Sequence, residues 1–395
     1  MLFQIAPVAD LYRDGGFFDD PGLLAANDSP QGRGAASVSR RPGTVYEAAS
    51  YERGPYEIHT DDAVFRSQLT EIFEGVRASY KKIVATVAVE FSTGFVRDSA
   101  IYVPAGETGL SVFYPTYRPN DRPAIQLIDS DAAEASDVEA LPSTGRRLLY
   151  LSSVGSFNYG HWIIDDLPKL KFLFDDPQPT TVVIQSFPGM DEIRRDTIHC
   201  LCREIDVDVL FVDPLKLLSF TDLHYVTPVS YHPFLKNPEA LAYVRSAALS
   251  RVAAKSPGPR RLFVRRRRSR GRHLTDSMLV EAFLLANGFV SIDPEDLDFE
   301  AQVAAFRDAE LVVGVMCAAM CNTVFSSPRA TVVLLSPDGW VEPFYWDLAS
   351  ILGHKYIAVH GPRVKLNAAP HLDDFGINFG AFKKIISREI EVIGR

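Results

Sequence analysis

The sequence predicts an α/β protein of two units, each built on a parallel sheet, and three observations carry that expectation. From about residue 145, apolar runs at 147–151, 181–184 and 208–212 read as strands, separated by helices over 158–174 and 191–201. The alternation resumes past residue 238. Strands are expected at 261–264, 289–292, 311–315, 331–335 and 356–359, with helices at 274–286, 299–309 and 344–352. The strands are continuous apolar runs rather than alternating ones, as strands buried on both faces require. Ligands of such sheets sit beyond the carboxyl ends of the strands, so two α/β units with a cleft between them is the simplest architecture.

Before this alternation the chain reads differently. Residues 14–55 are rich in Gly, Ser, Pro, Asp and Arg and show little periodicity, which predicts an irregular segment. The β-branched run 83–89, together with 101–103, 111–114 and 124–128, predicts a β-rich portion. Residues 238–254 form an amphipathic helix, broken by the Pro-Gly-Pro stretch at 257–259. Asn287-Gly288 closes the helix before the strand at 289. Residues 379–393 predict a closing helix with Lys383, Lys384 and Arg388. The expected division is therefore 1–140, a β-rich and irregular part of the first domain; 141–236, its α/β part; 237–375, a second α/β domain; and 376–395, the closing helix.

Composition bounds the function. The chain has 395 residues, of which 47% are hydrophobic and 23% charged, enough for a sizeable core without disulfides. The net charge of −9 argues against a surface that binds nucleic acid as a whole. Cys200, Cys202, Cys317 and Cys321 form no CxxC and no zinc spacing, so they read as free, buried thiols in a reducing compartment. His224, His232, His354 and His360 are scattered without metal spacing, and Asp129-Ser130-Asp131 reads as an acidic turn. The first residues lack a basic and long apolar leader, and no run approaches the ~18 apolar residues of a membrane span. We expect a cytoplasmic protein; peripheral attachment to the inner face of a membrane stays open.

The densest chemistry lies in Asn158-Tyr159-Gly160-His161-Trp162-Ile163-Ile164-Asp165-Asp166-Leu167-Pro168. His161 and Asp165 are four apart, so a helix puts them on one face. A polar pair in a buried helix is costly unless paired or used. The pair either braces the helix start or serves as a base and its orienter, with Asn158, Trp162 and Asp166 beside them. Eight arginines lie between Arg260 and Arg272, at a strand-to-helix turn where backbone N–H groups and planar guanidiniums suit an anion. The bland alternatives are a solvated basic face or a nucleic-acid patch. The third segment runs from Leu311 to Asn322, a strand entering a turn of small residues. No glycine-rich nucleotide fingerprint or P-loop occurs.

Together these segments resemble glycosyltransferase family 61, which includes capsular and exopolysaccharide enzymes and xylosyl- and N-acetylglucosaminyltransferases. Asn158, His161-Trp162, Asp165 and Leu167-Pro168 match its first motif. Arg266 and Arg272 match its two arginines, although Thr275-Asp276 stands where Asn-Glu is usual. The stretch from Gly288 through Phe299, Gln302, Phe306 and Ala309 is similar to its connecting region. Val313-Gly314, Ala318 and Asn322 match its last motif, in which Met316 replaces a histidine and Cys317 and Ala319 replace glycines. The resemblance covers about 145–380.

The resemblance implies a GT-B-like pair of Rossmann-type domains facing a cleft, and an inverting transfer of sugar from a nucleotide-sugar to a glycan acceptor. It implies no cofactor and no metal. Asp165 or His161 is then the base; we favour Asp165, a carboxylate being the commoner choice. Arg266, Arg272, Asn322, Gly314 and Met316 would hold the donor, and Asn158, Trp162 and Asp166 would line the acceptor side. The exchange at Met316 and Cys317 motivates a second reading, a member that binds sugar-nucleotide or glycan without turnover.

Overall fold

The computed structural model describes residues 43–97, 99–105, 109–112, 138–142, 145–252, 257–364 and 369–394. The strand expected at 124–128, the acidic turn at 129–131, residues 113–114 and most of the irregular N-terminal stretch lie outside the described residues. The chain divides into two units, each drawn from several stretches of sequence. The first contains 43–50, Lys82–Tyr231 and Glu239–Val244; the second contains Tyr51–Lys81, His232–Pro238 and 245–394. Residues 51–81, which the sequence reading left in the first domain, pack in the second unit.

The first unit is built on one mixed sheet. Its main order runs Val207–Val212, Thr180–Gln185, Arg147–Tyr150, Leu217–Val226, Thr86–Arg97, Ala100–Ala105, Gly109–Val112. The first four of these strands are parallel, and the last three pair antiparallel. Every residue of Thr180–Gln185 is buried, as a strand covered on both faces must be. The chain steps outward from 147–150 through 180–185 to 207–212, then returns to the other side of 147–150. Strand order therefore reverses between 147–150 and 217–226, which makes the crevice beyond their carboxyl ends the expected ligand position.

The helix expected over 158–174 is composite. An α-turn at Tyr159–His161 passes into a π-helical turn at Trp162–Asp166, a 3₁₀ turn at Leu167–Leu170, and an α-turn at Lys171–Asp175. Pro168 explains much of this, because it has no N–H to give the carbonyl four residues back. The Leu167 N–H instead reaches the Trp162 carbonyl, five residues back.

The second unit has a fully parallel sheet in the order Val290–Ile292, Arg261–Val264, Leu311–Val315, Thr331–Pro337, Lys355–Gly361, Tyr56–His59. In chain order its last five strands run 2-1-3-4-5, a doubly wound order with its reversal between 261–264 and 311–315. Strand 56–59 extends this sheet at one edge. Helix Ala63–Ser79 follows it, capped by Asp62, whose carboxylate accepts from the Val64 and Phe65 N–H groups. Phe73 of this helix stacks on Trp346 at 4.8 Å. The stretch is fastened further by Arg53, whose Nε donates to Asp347 Oδ1 at 2.8 Å, while Lys236 donates to Asp347 Oδ2 at 2.9 Å. The closing helix is Phe379–Ile393; Phe382, Ile385 and Ile386 bury in the same apolar cluster as the sheet.

Candidate functional site

At the first unit's reversal point, strand 147–150 leads through a short loop into the composite helix, and strand 217–226 leads to Ser230. Asn158 starts the helix: its side-chain oxygen accepts from the Gly160 N–H at 2.9 Å, an N-cap. One turn on, His161 Nδ1 lies 2.7 Å from Asp165 Oδ2. The other carboxylate oxygen of Asp165 accepts from Ser230 Oγ at 2.5 Å. Asp165 is 5% exposed, whereas the His161 side chain retains 19%. A buried carboxylate bonded on both oxygens fixes the imidazole ring, and the histidine is the more accessible partner.

Two residues assigned to the acceptor side are placed otherwise. Trp162 is fully buried and donates from Nε1 to Thr197 Oγ1 at 2.8 Å. Asp166 is also fully buried; it takes Lys169 Nζ at 2.9 Å and Ser156 Oγ at 2.7 Å. A carboxylate and ammonium both wholly desolvated must satisfy each other, so Asp166 braces the turn and does not line a cleft. Asn158 keeps partial exposure, with its oxygen spent on the cap.

The second unit's reversal point gathers the arginine run and the turn after 311–315. The arginines sort by their partners. Arg260 pairs with Glu310 at 2.6 Å, Arg267 with Asp293 at 2.7 Å, and Arg270 with Glu295 at 2.9 Å. Arg266 and Arg272 have no carboxylate partner among the described residues, as is also true of Arg261, which donates to the Asn287 carbonyl, and of Arg268. Arg266 donates to the carbonyls of Gly271, at 2.8 Å, and Arg270, at 2.6 Å. Arg272 donates to the carbonyls of His371, at 2.6 Å, and Met316, and lies 4.1 Å from the centre of the Trp340 ring. Carbonyls satisfy N–H groups but do not neutralise charge. Burial, and then the nearby Arg266, hold the Arg272 guanidinium down to about 10, so it stays cationic at neutral pH. Arg272 also holds φ +53, a conformation rare outside glycine.

The glycine-poor turn has a different basis from the one the sequence suggested. Gly314 is needed for packing: a Cβ there would meet Met320 Sδ at 2.4 Å and Val264 Cβ at 3.0 Å. Met316 is buried, and its contact with Arg272 is made by the backbone carbonyl, which any residue at 316 offers. Asn322 is also wholly buried; its amide donates to Gln302 Oε1 at 2.6 Å, tying the 3₁₀ helix Ala318–Phe325 to helix Phe299–Arg307. Neither Gly314 nor Asn322 presents a side chain to an open surface.

Sequence reasoning missed Ser230 and Trp340. Nothing local marks Ser230, because its partner is sixty-five residues away. Trp340 was findable: it follows the carboxyl end of strand 331–337, where a parallel sheet binds its ligands. Among the described residues no group of three metal-ligating side chains converges, and no helix is long and apolar enough to cross a membrane.

Comparison with known proteins gives one positive finding. The model of a protein family described as Glycosyltransferase 61 matches residues 159–333, a stretch that begins at the composite helix and ends within strand 331–337. Over that stretch, less than half of its length, the chain is similar to the family's glycosyltransferases. No curated protein matches the chain.

Proposed function

We propose that the protein is an inverting glycosyltransferase that moves a sugar from a nucleotide-sugar to a hydroxyl of a glycan acceptor. The observation that carries this reading is the uncompensated pair Arg266 and Arg272 at a doubly wound reversal point, within a stretch similar to family 61. Two adjacent cations with no carboxylate in contact among the described residues suit a diphosphate leaving group, whose charge grows as the glycosidic bond breaks. Trp340 beside Arg272 is an added donor contact. The reading entails a GT-B-like division of labour between Rossmann-type units, the first serving the acceptor and the second the donor.

His161 is the better base, with Asp165 as its orienter. Asp165 is buried with both oxygens engaged, so a proton arriving on either one displaces a hydrogen bond already made there. With Nδ1–H donated to Asp165, the ring's basic nitrogen is Nε2. The acceptor oxygen bonds to the anomeric carbon as its proton passes to Nε2. The bond from that carbon to the phosphate oxygen breaks, and the nucleoside diphosphate leaves with the electron pair. Guanidinium charge stands in for a cation in stabilising that leaving group, so the scheme calls for no resident metal or cofactor. A cytoplasmic location follows from the donor, which is made there; membrane attachment enters only if the acceptor is lipid-linked.

The test is incubation of the full chain with a panel of nucleotide-sugars and glycan acceptors, with anomeric configuration read by NMR. Transfer with inversion supports the proposal. Donor binding without turnover across the panel would instead support a sugar-nucleotide-binding protein, and retention would overturn the single-displacement scheme.

A further inference from the structure

Strand Leu217–Val226 has an interrupted edge. On the side away from Thr86–Arg97, its residues 217–219 pair with Val138–Ala140 and its residues 223–225 pair with 148–150. Phe220, Thr221 and Asp222 have no strand partner on that side among the described residues. Asp222 holds φ +54 in mid-strand, a left-handed conformation that Asp tolerates better than most residues. At this gap lies a cavity of about 480 Å³, within the range of small-ligand sites. Its lining includes Glu90, Arg147, Gln178, Thr221, Asp222 and His224. Arg147 opens strand 147–150, whereas the dyad follows that strand's carboxyl end. Roughly 10 Å of strand therefore separates the two places.

We propose that this cavity is a second site on the first unit, binding an uncharged segment of a glycan through its hydroxyls. The charges here are already balanced, unlike those around Arg272. Arg147 pairs with Asp176 at 2.9 Å, and the neighbouring Arg146 pairs with Asp206 at 2.6 Å. An anion finds no uncompensated cation, and Glu90 and Asp222 add acceptors. What the walls lack is a partner for one buried nitrogen: the Arg147 side chain is 4% exposed, and its Nη2 has none among the described residues. His224 lies 3.8 Å from Glu90, yet burial pushes its imidazole below the usual range, which favours the neutral ring that both donates and accepts. A polyol offers donors and acceptors in the same proportions. Arg147 is held in place from behind by the Phe172 ring, whose centre lies 4.6 Å away.

The choice of a glycan among polyols rests on the transferase reading, but the binding does not require turnover. The experiment is calorimetry or NMR titration of the full chain with neutral gluco-, xylo- and N-acetylchito-oligosaccharides. Asp222→Gly removes the carboxylate and accepts the positive φ; Thr221→Trp fills the gap. Both positions are exposed, and thermal melts check folding. Expected is binding of at least one oligosaccharide that weakens about 10-fold in each variant, the loss of one or two hydrogen bonds to a charged group, and that is unchanged in His161→Ala. Equal affinity in wild type and both variants overturns the proposal, as does an absence of binding across the panel. If transfer activity proves absent while this binding persists, it is the transferase reading that fails.

Discussion

At the first unit's reversal point a carboxylate is saturated by its neighbours; at the second unit's, two guanidiniums are not. Asp165 has Ser230 on one oxygen and His161 on the other. Among the described residues Arg266 and Arg272 donate to carbonyls and meet no carboxylate. Both places sit beyond parallel strands where the order reverses, so the folds supply the same kind of crevice. Under the proposed mechanism, the contrast is one of how each would be primed. A proton acceptor must be held in one orientation before substrate arrives, which takes a full hydrogen-bond shell. An anion receptor must keep its charge unspent, which takes neutral partners.

The strongest way to break that comparison is at the dyad. His161→Ala should lower kcat by roughly 10²–10⁴-fold, the usual worth of a positioned base, with nucleotide affinity unchanged. Asp165→Asn should produce a loss of similar order through the wrong tautomer, and should shift the acidic limb of the pH–rate profile. Folded variants that turn over at the wild-type rate would remove the dyad from the mechanism.

The arginines come next. Arg272→Met should weaken binding of a nucleoside diphosphate by roughly 10–100-fold, corresponding to a charge-assisted hydrogen bond of about 1.5–3 kcal/mol. Arg267→Ala is the informative control, since Arg267 is already paired with Asp293 and should leave affinity within about twofold. Calorimetry with nucleoside diphosphates reads both. Equal losses in the two variants would mean a diffuse basic field, not a receptor built on unpaired charge.

How much of this contrast was readable beforehand follows from where the determining contacts lie. His161 and Asp165 were visible because a four-residue spacing is a local fact. Arg266 and Arg272 stood out from six other arginines only through motif resemblance; which of the eight meet a carboxylate is a tertiary matter, and Arg261 and Arg268 lack one as well. An indole in an apolar run is expected to bury, as Trp162 does, whereas helix periodicity does not say that Lys169 and Ser156 close around Asp166. Helix 63–79 was legible and overlooked: Asp62 precedes Phe65, Leu69, Phe73 and Val76 at helical spacing. That its stretch packs on Trp346 was not, since the partner is nearly three hundred residues away. Strand 217–226 escaped because Thr221 and Asp222 interrupt its apolar pattern at the gap.

Ser230 sharpens the comparison on a smaller scale. Ser230→Ala leaves the dyad's residues in place and removes one donor from a buried carboxylate. The loss should be of the order of 1.5–3 kcal/mol at the carboxylate, only part of which reaches the transition state. A kcat lowered by about 3–10-fold, with KM for the donor unchanged, is the expected result of steady-state kinetics. An altered donor KM would point to a role outside the dyad.

The smallest effect concerns stability and also differs between protonation sites. In the second unit, burial holds His354 and His360 down to about 4, with His354 further opposed by Arg245. A histidine whose folded value lies below its unfolded value of ~6.5 contributes stability that is full above that value. The contribution is lost as pH falls from about 6.5 to about 4, because the unfolded chain then binds the proton first. Thermal melts between pH 7 and pH 4 should therefore show a falling midpoint, and His354→Gln should flatten the fall by removing one of the two protonation sites. A midpoint that stays level between pH 7 and pH 4, in the wild type as in the variant, would mean that burying these two neutral rings carries no such pH dependence.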